Sequence, residues 1–158
     1  MPTALRSLST VLAIASLPVW LAGCENNAAA FEVEGRNNAI TLVRERNYIW
    51  SDEVKQALVV ARFPQCQHRW EIVPGNPSGP KMSIFAVRDG VFVGVQGKHW
   101  YAIGMEKCEV SKMEPTGETP PGQLIGVFRR KDDVLVFELD PAVKAAAEAA
   151  AAEQSPAQ

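Results

Sequence analysis

Between residues 31 and 140 the chain consists of short apolar or alternating segments separated by turn-forming residues, a pattern typical of antiparallel strands. In the clearest case, two apolar runs flank Asp89-Gly90, a preferred dipeptide for a two-residue type I′ turn. Counting outward from that turn places Phe85 opposite Gly94 and leaves apolar side chains on both faces. We therefore expect a central hairpin that is covered on each side.

A second hairpin is predicted near the end of this region, from residue 123 to residue 139. Its turn is expected near Lys131-Asp132, which places Gly126 opposite Phe137. An aromatic ring can cover the bare backbone of a glycine on the neighbouring strand, so this pairing favours the register.

Residues 54–63 fit two structures. Their apolar positions recur at helical spacing, and Ser51 could cap a helix there. However, Leu58-Val59-Val60 is a compact apolar run with two β-branched residues, and Phe63-Pro64 ends it. The composition of the segment therefore favours a strand.

The two hairpins, the strand over residues 54–63 and several weaker strand segments predict a mainly β fold. Residues 31–140 are expected to form a single antiparallel all-β globular domain of about seven or eight strands. A β-sandwich and a small β-barrel both fit, since strands in each alternate in the same way. Residues 141–158 begin as an alanine-rich stretch without a large apolar face, so this C-terminal tail is expected to be helical or disordered.

The first 24 residues follow a different pattern. Arg6 is followed by an apolar run over residues 11–21, which ends in Leu21-Ala22-Gly23-Cys24 and then turns polar. The run is roughly half of the ~20 residues that a membrane-spanning helix needs, which indicates a removable leader. In this order of segments the chain resembles the signal peptide of a bacterial lipoprotein, with Leu-Ala-Gly-Cys as the lipobox.

This resemblance implies that residues 1–23 are removed as a signal peptide and that Cys24 becomes a lipidated first residue. Residues 24–30 would be a lipidated tether, and the covalent lipid on Cys24 would be the only attached group, with no cofactor. Two or three buried acyl chains anchor a protein stably in a membrane. In that family an aspartate after the cysteine favours inner-membrane retention, so Glu25 favours the outer membrane, facing the periplasm. The alternative is an ordinary secretory signal in which Cys24 is incidental.

Length and charge narrow the classes of function. The 158 residues, less the 23-residue leader, leave 135, which is enough for one domain with a core. A formal net charge of −2 provides no electrostatic basis for binding nucleic acid, and we expect no nucleic-acid partner. The expected partners are the membrane, through the lipid anchor, and an envelope protein or a glycan.

Apart from Cys24, the chain has two cysteines, Cys66 and Cys108. In an oxidising envelope compartment a disulfide is their default state. His68 and His99 could complete a set of two sulfurs and two imidazoles, which are ligands of tetrahedral zinc. The paired spacing of compact zinc motifs is missing, so we favour the disulfide and expect no metal.

Three aromatic residues, Trp50, Trp100 and Tyr101, are candidate surface contacts for a glycan or a protein partner. The interpretation that we favour is that they fill the core and shield the disulfide, as aromatic residues of β domains usually do. Trp100 and Tyr101 lie on opposite faces of one predicted strand, so one of them is expected at the surface.

The sequence contains no recognisable catalytic motif, so we assign no catalytic residue. The sequence has no G-x-S-x-G elbow and no H-E-x-x-H, and Gly97-Lys98 lacks the other residues of a phosphate-binding loop. We therefore expect a lipid-anchored, non-enzymatic interaction or accessory module. One alternative is an inhibitor of a wall-degrading enzyme, because the expected architecture resembles that of small anchored β-barrel lysozyme inhibitors. The other is a β domain that binds a small ligand or a glycan.

Overall fold

The structure of the chain, a computed structural model, describes residues 25–33, 35, 37–48, 50–79 and 81–153. The predicted leader, the lipidation of Cys24 and residues 154–158 lie outside the described residues. The described residues form ten strands and one helix: β1 (Glu25–Glu32), β2 (Asn38–Arg46), β3 (Val54–Arg62), β4 (Cys66–Gly75), β5 (Met82–Arg88), β6 (Val91–Gln96), β7 (His99–Gly104), β8 (Glu109–Met113), β9 (Gln123–Lys131), β10 (Val134–Leu139) and α1 (Pro141–Glu153).

These strands form two antiparallel sheets. One has four strands in the order β1-β2-β3-β4, and the other has six in the order β10-β9-β5-β6-β7-β8. Neither sheet closes on itself within the described residues, and the two share one core, so the fold is a β-sandwich. The prediction of a mainly β, antiparallel domain is confirmed, with ten strands where seven or eight were expected.

The core fills the space between the two sheets. On β2, Ile40 and Leu42 are buried and their neighbours are partly exposed, as expected for a strand with one face in the core. The largest fully buried apolar side chains come from both sheets: Phe128, Ile40, Leu42, Leu58, Met82, Ile84 and Ile103.

Strand β3 confirms the strand interpretation of residues 54–63 as far as Arg62. It pairs with β2 on one side and with β4 on the other. Leu58 and Val60 belong to the core, whereas Ala57 is buried on the opposite face of the strand. The helical spacing in the sequence arises because both faces of this central strand are apolar.

Strand β1 replaces most of the tether that was predicted for residues 24–30. It pairs with β2 along its whole length, with Glu25 opposite Arg46, and the side chain of Phe31 is buried in the core. The prediction was wrong because asparagine and alanine have little intrinsic preference for strands, whereas pairing with the following strand, β2, decides the structure. The globular domain therefore includes residue 25 instead of beginning at residue 31.

The hairpin of β5 and β6 is present, but its register differs from the prediction. Ile84, not Phe85, lies opposite Gly94, because the pairing slips by one residue just before the turn. Gly90 has a φ of 68°, whereas Asp89 is not among the described non-glycine residues with positive φ. A type I′ turn needs positive φ at both residues, so the hairpin closes with a β-bulge instead.

The hairpin of β9 and β10 turns one residue later than predicted. Asp132 and Asp133 both have positive φ, 49° and 64°, as a type I′ turn requires. Gly126 therefore lies opposite Leu139 instead of Phe137. The ring of Phe137 still covers this glycine diagonally, since a Cβ at Gly126 would lie 2.6 Å from the ring carbon Cζ.

The two sheets meet along both edges. On one side, the predicted disulfide joins Cys66 at the start of β4 to Cys108 just before β8. Trp70 Nε1 on β4 also donates a hydrogen bond to the carbonyl oxygen of Cys108, at 2.8 Å. On the other side, β1 lies beside β10, where the rings of Phe31 and Phe137 stack with their centroids 4.8 Å apart.

Residues 114–122 cross the outer face of the six-stranded sheet. They connect β8, at one edge, to β9, which lies beyond β7, β6 and β5. The inner face of these strands packs against the other sheet, so the connection must pass over the outer face. The outer face of the central strands is therefore covered as well.

Helix α1 begins directly after β10. The backbone N–H of Ala142 donates to the Asp140 carboxylate, with N and Oδ1 3.0 Å apart, which caps the first turn. The predicted tail is therefore helical over residues 141–153. Among the described residues, no helix is long and apolar enough to cross a membrane.

Candidate functional site

The directions of the strands divide the sandwich into two poles. The proximal pole is the end at which β1 begins, and it holds the turns after β2, β4, β6 and β9. The distal pole is the opposite end, and it holds the turns after β1, β3, β5 and β7 together with the start of α1. Strands of eight or nine residues at ~3.3 Å per residue separate the poles by about 25 Å.

A polar cleft of about 380 Å³ opens at the distal pole. Its turns are held in place by backbone hydrogen bonds, such as that from Met105 N to Gly90 O at 2.8 Å. The cleft contains the carboxylates of Asp89 and Glu106 and the guanidinium of Arg62. It can therefore bind positively or negatively charged groups and other hydrogen-bonding groups. Its lining residues are Val33, Asn38, Arg62, Asp89, Gly90, Met105 and Glu106.

An apolar cleft of about 490 Å³ lies beside the polar one, between the sandwich and α1. The helix is fixed there by a hydrogen bond from Asp140 N to Ile125 O, at 2.8 Å. Val87 and Leu139 keep 43% and 41% of their surface exposed at this cleft. Its apolar lining consists of Phe31, Val33, Ala86, Val87, Phe92, Ile125, Leu139, Val143 and Ala147.

The two clefts share Val33, Asp89 and Gly90 and so form one continuous surface, which we name the distal groove. The β-bulge before the turn contributes to its shape, because it takes Val87 out of the regular pairing of β5 with β6. Sequence reasoning missed the groove, since its lining residues come from segments far apart in the chain. No local sequence signal indicates the exposed Val87, because the Asp89-Gly90 dipeptide does not reveal the bulge.

Of the three predicted surface aromatics, Trp50 is at the surface. Its side chain is 77% exposed and stacks on Tyr48, which is 57% exposed, with ring centroids 5.4 Å apart and 17° between the ring planes. Both residues lie at the proximal pole, between β2 and β3.

The prediction that Trp100 or Tyr101 is a surface contact is wrong, because both side chains are buried. Tyr101 lies in the core, and its hydroxyl oxygen accepts a hydrogen bond from Val73 N at 3.2 Å. Trp100 lies on the outer face of β7, which residues 114–122 cross. The prediction assumed that this face is open to solvent, whereas only 5% of the surface of Trp100 is exposed.

The candidate zinc ligands do not come together as a site. Cys66 and Cys108 are bonded to each other, which leaves neither sulfur as a thiolate. His68 is exposed on β4 and packs edge-on against Trp70, whereas His99 is at the start of β7. Within the described part of the chain, no group of three or more His, Cys, Asp or Glu side chains is placed to hold a metal ion.

Two groups away from the distal groove have clearly shifted pKa values. The pKa of Arg69 is raised, first by the side-chain hydrogen bond to Glu71 and then by that to Glu45. Burial raises the pKa of Tyr101, and the hydrogen bond from Val73 N offsets part of this rise. The first shift reflects exposed ion pairs of Arg69 and the second a buried phenol.

No protein-family model, curated protein or solved structure matches the chain.

Proposed function

We propose that the chain is a lipid-anchored protein of the cell envelope, on the periplasmic side of the outer membrane, and that it acts as a non-enzymatic interaction module. The observation that carries this proposal is the start of β1 at Glu25, the residue directly after the lipobox cysteine. With lipid on Cys24, no spacer separates the acyl chains from the sandwich. The proximal pole then rests near the membrane and the distal groove points away from it.

The composition of the distal groove supports binding of a protein partner. Val87 and Leu139 form an exposed apolar area, and the charged side chains of Arg62, Asp89 and Glu106 lie beside it. An apolar area with a charged border is typical of surfaces that bind other proteins. A partner that inserts an apolar side chain into the apolar cleft would cover both exposed residues.

The anchor is tested by fractionating cells that express the wild-type chain or Cys24→Ala. We expect the wild type in the outer-membrane fraction and the variant in the soluble periplasmic fraction, because the variant cannot be acylated. Mass spectrometry of the mature N-terminus checks the modification itself. An unmodified Cys24 in a soluble wild-type protein would overturn the anchoring proposal.

The binding surface is tested by photo-crosslinking in cells, with a photoreactive amino acid at position 87. Position 112 is the matched control, because Lys112 is exposed on β8 and lies outside the distal groove. We expect one discrete protein adduct from position 87 and none from position 112. Equal adduct patterns from the two positions would show that the groove is not a specific binding surface.

A second candidate function is the binding of a small apolar ligand, which the apolar cleft favours by its volume. Its ~490 Å³ falls within the range of ordinary ligand pockets, about 300–1,000 Å³. Native mass spectrometry of the purified protein should then show a bound small molecule that Val143→Arg removes. A wild-type spectrum without added mass, beyond the lipid anchor, would exclude this candidate.

A further inference from the structure

We propose that Tyr48 and Trp50, which we name the aromatic pair, insert into the headgroup region of the membrane that holds the lipid anchor. They would thereby fix the orientation of the sandwich on that membrane. This inference rests on the proposed function, since it requires lipid on Cys24.

The pairing of β1 with β2 places the aromatic pair beside the anchor point. Glu25 lies opposite Arg46, the last residue of β2, and Tyr48 follows two residues later. One peptide bond joins Glu25 to Cys24, with ~3.8 Å between their Cα atoms. Adjacent strands are ~4.8 Å apart, so Glu25, to which the acylated residue is bonded, lies beside the backbone that leads to the aromatic pair.

The exposure of the aromatic pair is a fixed feature of the fold. Ser51 N donates to Tyr48 O at 3.0 Å, and Arg46 Nε donates to Ser51 O at 2.9 Å. These two hydrogen bonds hold the backbone on both sides of the pair while Trp50 stays 77% exposed. By contrast, Phe128 and Trp100 are almost fully buried. Rings that are already held outward lose little conformational freedom when they meet a surface.

A phospholipid surface is the occupant that fits this position and chemistry best. Indole and phenol rings have an apolar body and a polar edge, and both are enriched at the level of lipid headgroups. The anchor would bring the membrane to this pole, whereas a soluble partner or a glycan could reach any exposed face. We therefore assign the aromatic pair to the membrane and the distal groove to the partner.

The charges near the aromatic pair indicate insertion in preference to electrostatic attraction. Asp52 and Glu53 follow Trp50 after Ser51, and the basic residues nearest in sequence are Arg46 and Lys55. This mixed set provides no local excess of positive charge that would attract anionic lipid. Contact with the membrane should accordingly depend little on the anionic lipid content or on salt.

The test uses the lipidated full-length mature protein in vesicles of phosphatidylethanolamine and phosphatidylglycerol that contain lipids brominated near the headgroup. The mature chain has three tryptophans, Trp50, Trp70 and Trp100, whose fluorescence bromine quenches on contact. We expect quenching in the wild type, loss of most of it in Trp50→Phe, and retention in the control Trp70→Phe. Trp70 is a suitable control because it lies midway along β4 with only 36% exposure.

The outcomes separate this inference from the proposed function. Lipidated protein that floats with the vesicles but shows the same quenching in Trp50→Phe as in the wild type overturns the inference alone. Protein that lacks the lipid and does not float overturns both. A Trp50 emission that shifts with soluble wall glycan fragments or an envelope protein, and not with vesicles, assigns the pair to that occupant and overturns membrane insertion.

Discussion

Gln56 of β3 and Gln96 of β6 exchange two side-chain hydrogen bonds between the sheets, at 3.3 and 3.0 Å. Both side chains are buried, with 2% and 6% of their surface exposed. Gln56 Nε2 also donates to Val73 O at 3.2 Å, so one amide connects three strands. Because hydrogen bonds are directional and apolar contacts are not, this pair fixes the position of one sheet relative to the other near the proximal pole.

We predict that Gln96→Ala lowers the free energy of unfolding by about 1–3 kcal/mol, because the buried amide of Gln56 loses both of its hydrogen bonds to Gln96. The double variant Gln56→Leu/Gln96→Leu should lose less than the two single changes together, since it removes both polar groups. Urea unfolding measures each value, with the exposed Gln67→Ala as control. Additive losses would show that the two glutamines do not act as a pair.

Reduction of the disulfide should cost about 4 kcal/mol, because Cys66 and Cys108 are 42 residues apart and close a long loop in the unfolded chain. Urea unfolding with and without reductant measures this difference in the wild type. The control Cys66→Ala/Cys108→Ala should have about the stability of the reduced wild type, whether or not reductant is present. If reductant left the wild-type midpoint unchanged, the bond would not contribute to stability.

Gly126→Ala should destabilise the sandwich by about 1–3 kcal/mol, because the new methyl group has no space. It would lie 2.6 Å from Cζ and 2.9 Å from Cε1 of Phe137 and would also contact the carbonyl oxygen of Glu138. Gly104→Ala is the matched control, since nothing lies within 4 Å of a Cβ at that position. Thermal unfolding of the two variants should separate them clearly, and equal midpoints would contradict the packing of Phe137 over this glycine.

Stability should fall as the pH rises above about 10, partly because of Tyr101. Its pKa is raised above 10.0 in the folded protein, chiefly by burial. Above about pH 10 the unfolded chain loses the phenol proton more readily than the folded protein does, which favours unfolding. Below that pH the phenol is protonated in both states, so it adds no pH dependence to the free energy of unfolding. Urea unfolding between pH 8 and pH 11 should show a smaller decline in Tyr101→Phe. An identical decline in both proteins would mean that this phenol ionises equally in the two states.

The fold class could be predicted from the sequence because the alternation of apolar residues along β2 reflects one buried face directly. Strand β1 could not, since its Asn-Asn-Ala-Ala-Ala run carries little local preference. The register of the first hairpin depended on a bulge that the Asp89-Gly90 dipeptide does not reveal. Local sequence thus determined which segments are strands better than how the strands align.

The candidate site was less predictable than the fold. The disulfide was predicted from the number of cysteines and the expected compartment, whereas Trp50 was only a candidate surface residue and the core interpretation of the aromatics was favoured. The distal groove was not, because Arg62, Asp89 and Leu139 meet there only through the arrangement of the two sheets. The burial of Trp100 likewise was not evident from its position on one predicted strand.

The meeting of the two sheets along both edges also affects how copies of this chain behave towards one another. The outermost strands of an open sheet have free backbone groups that can pair with a strand of another molecule and start aggregation. Here the outermost strands face each other, β4 against β8 through the disulfide and the Trp70 hydrogen bond, and β1 against β10 through Phe31 and Phe137. Each outermost strand thus has a neighbour from the other sheet on its outer side, which hinders the approach of a strand from another molecule.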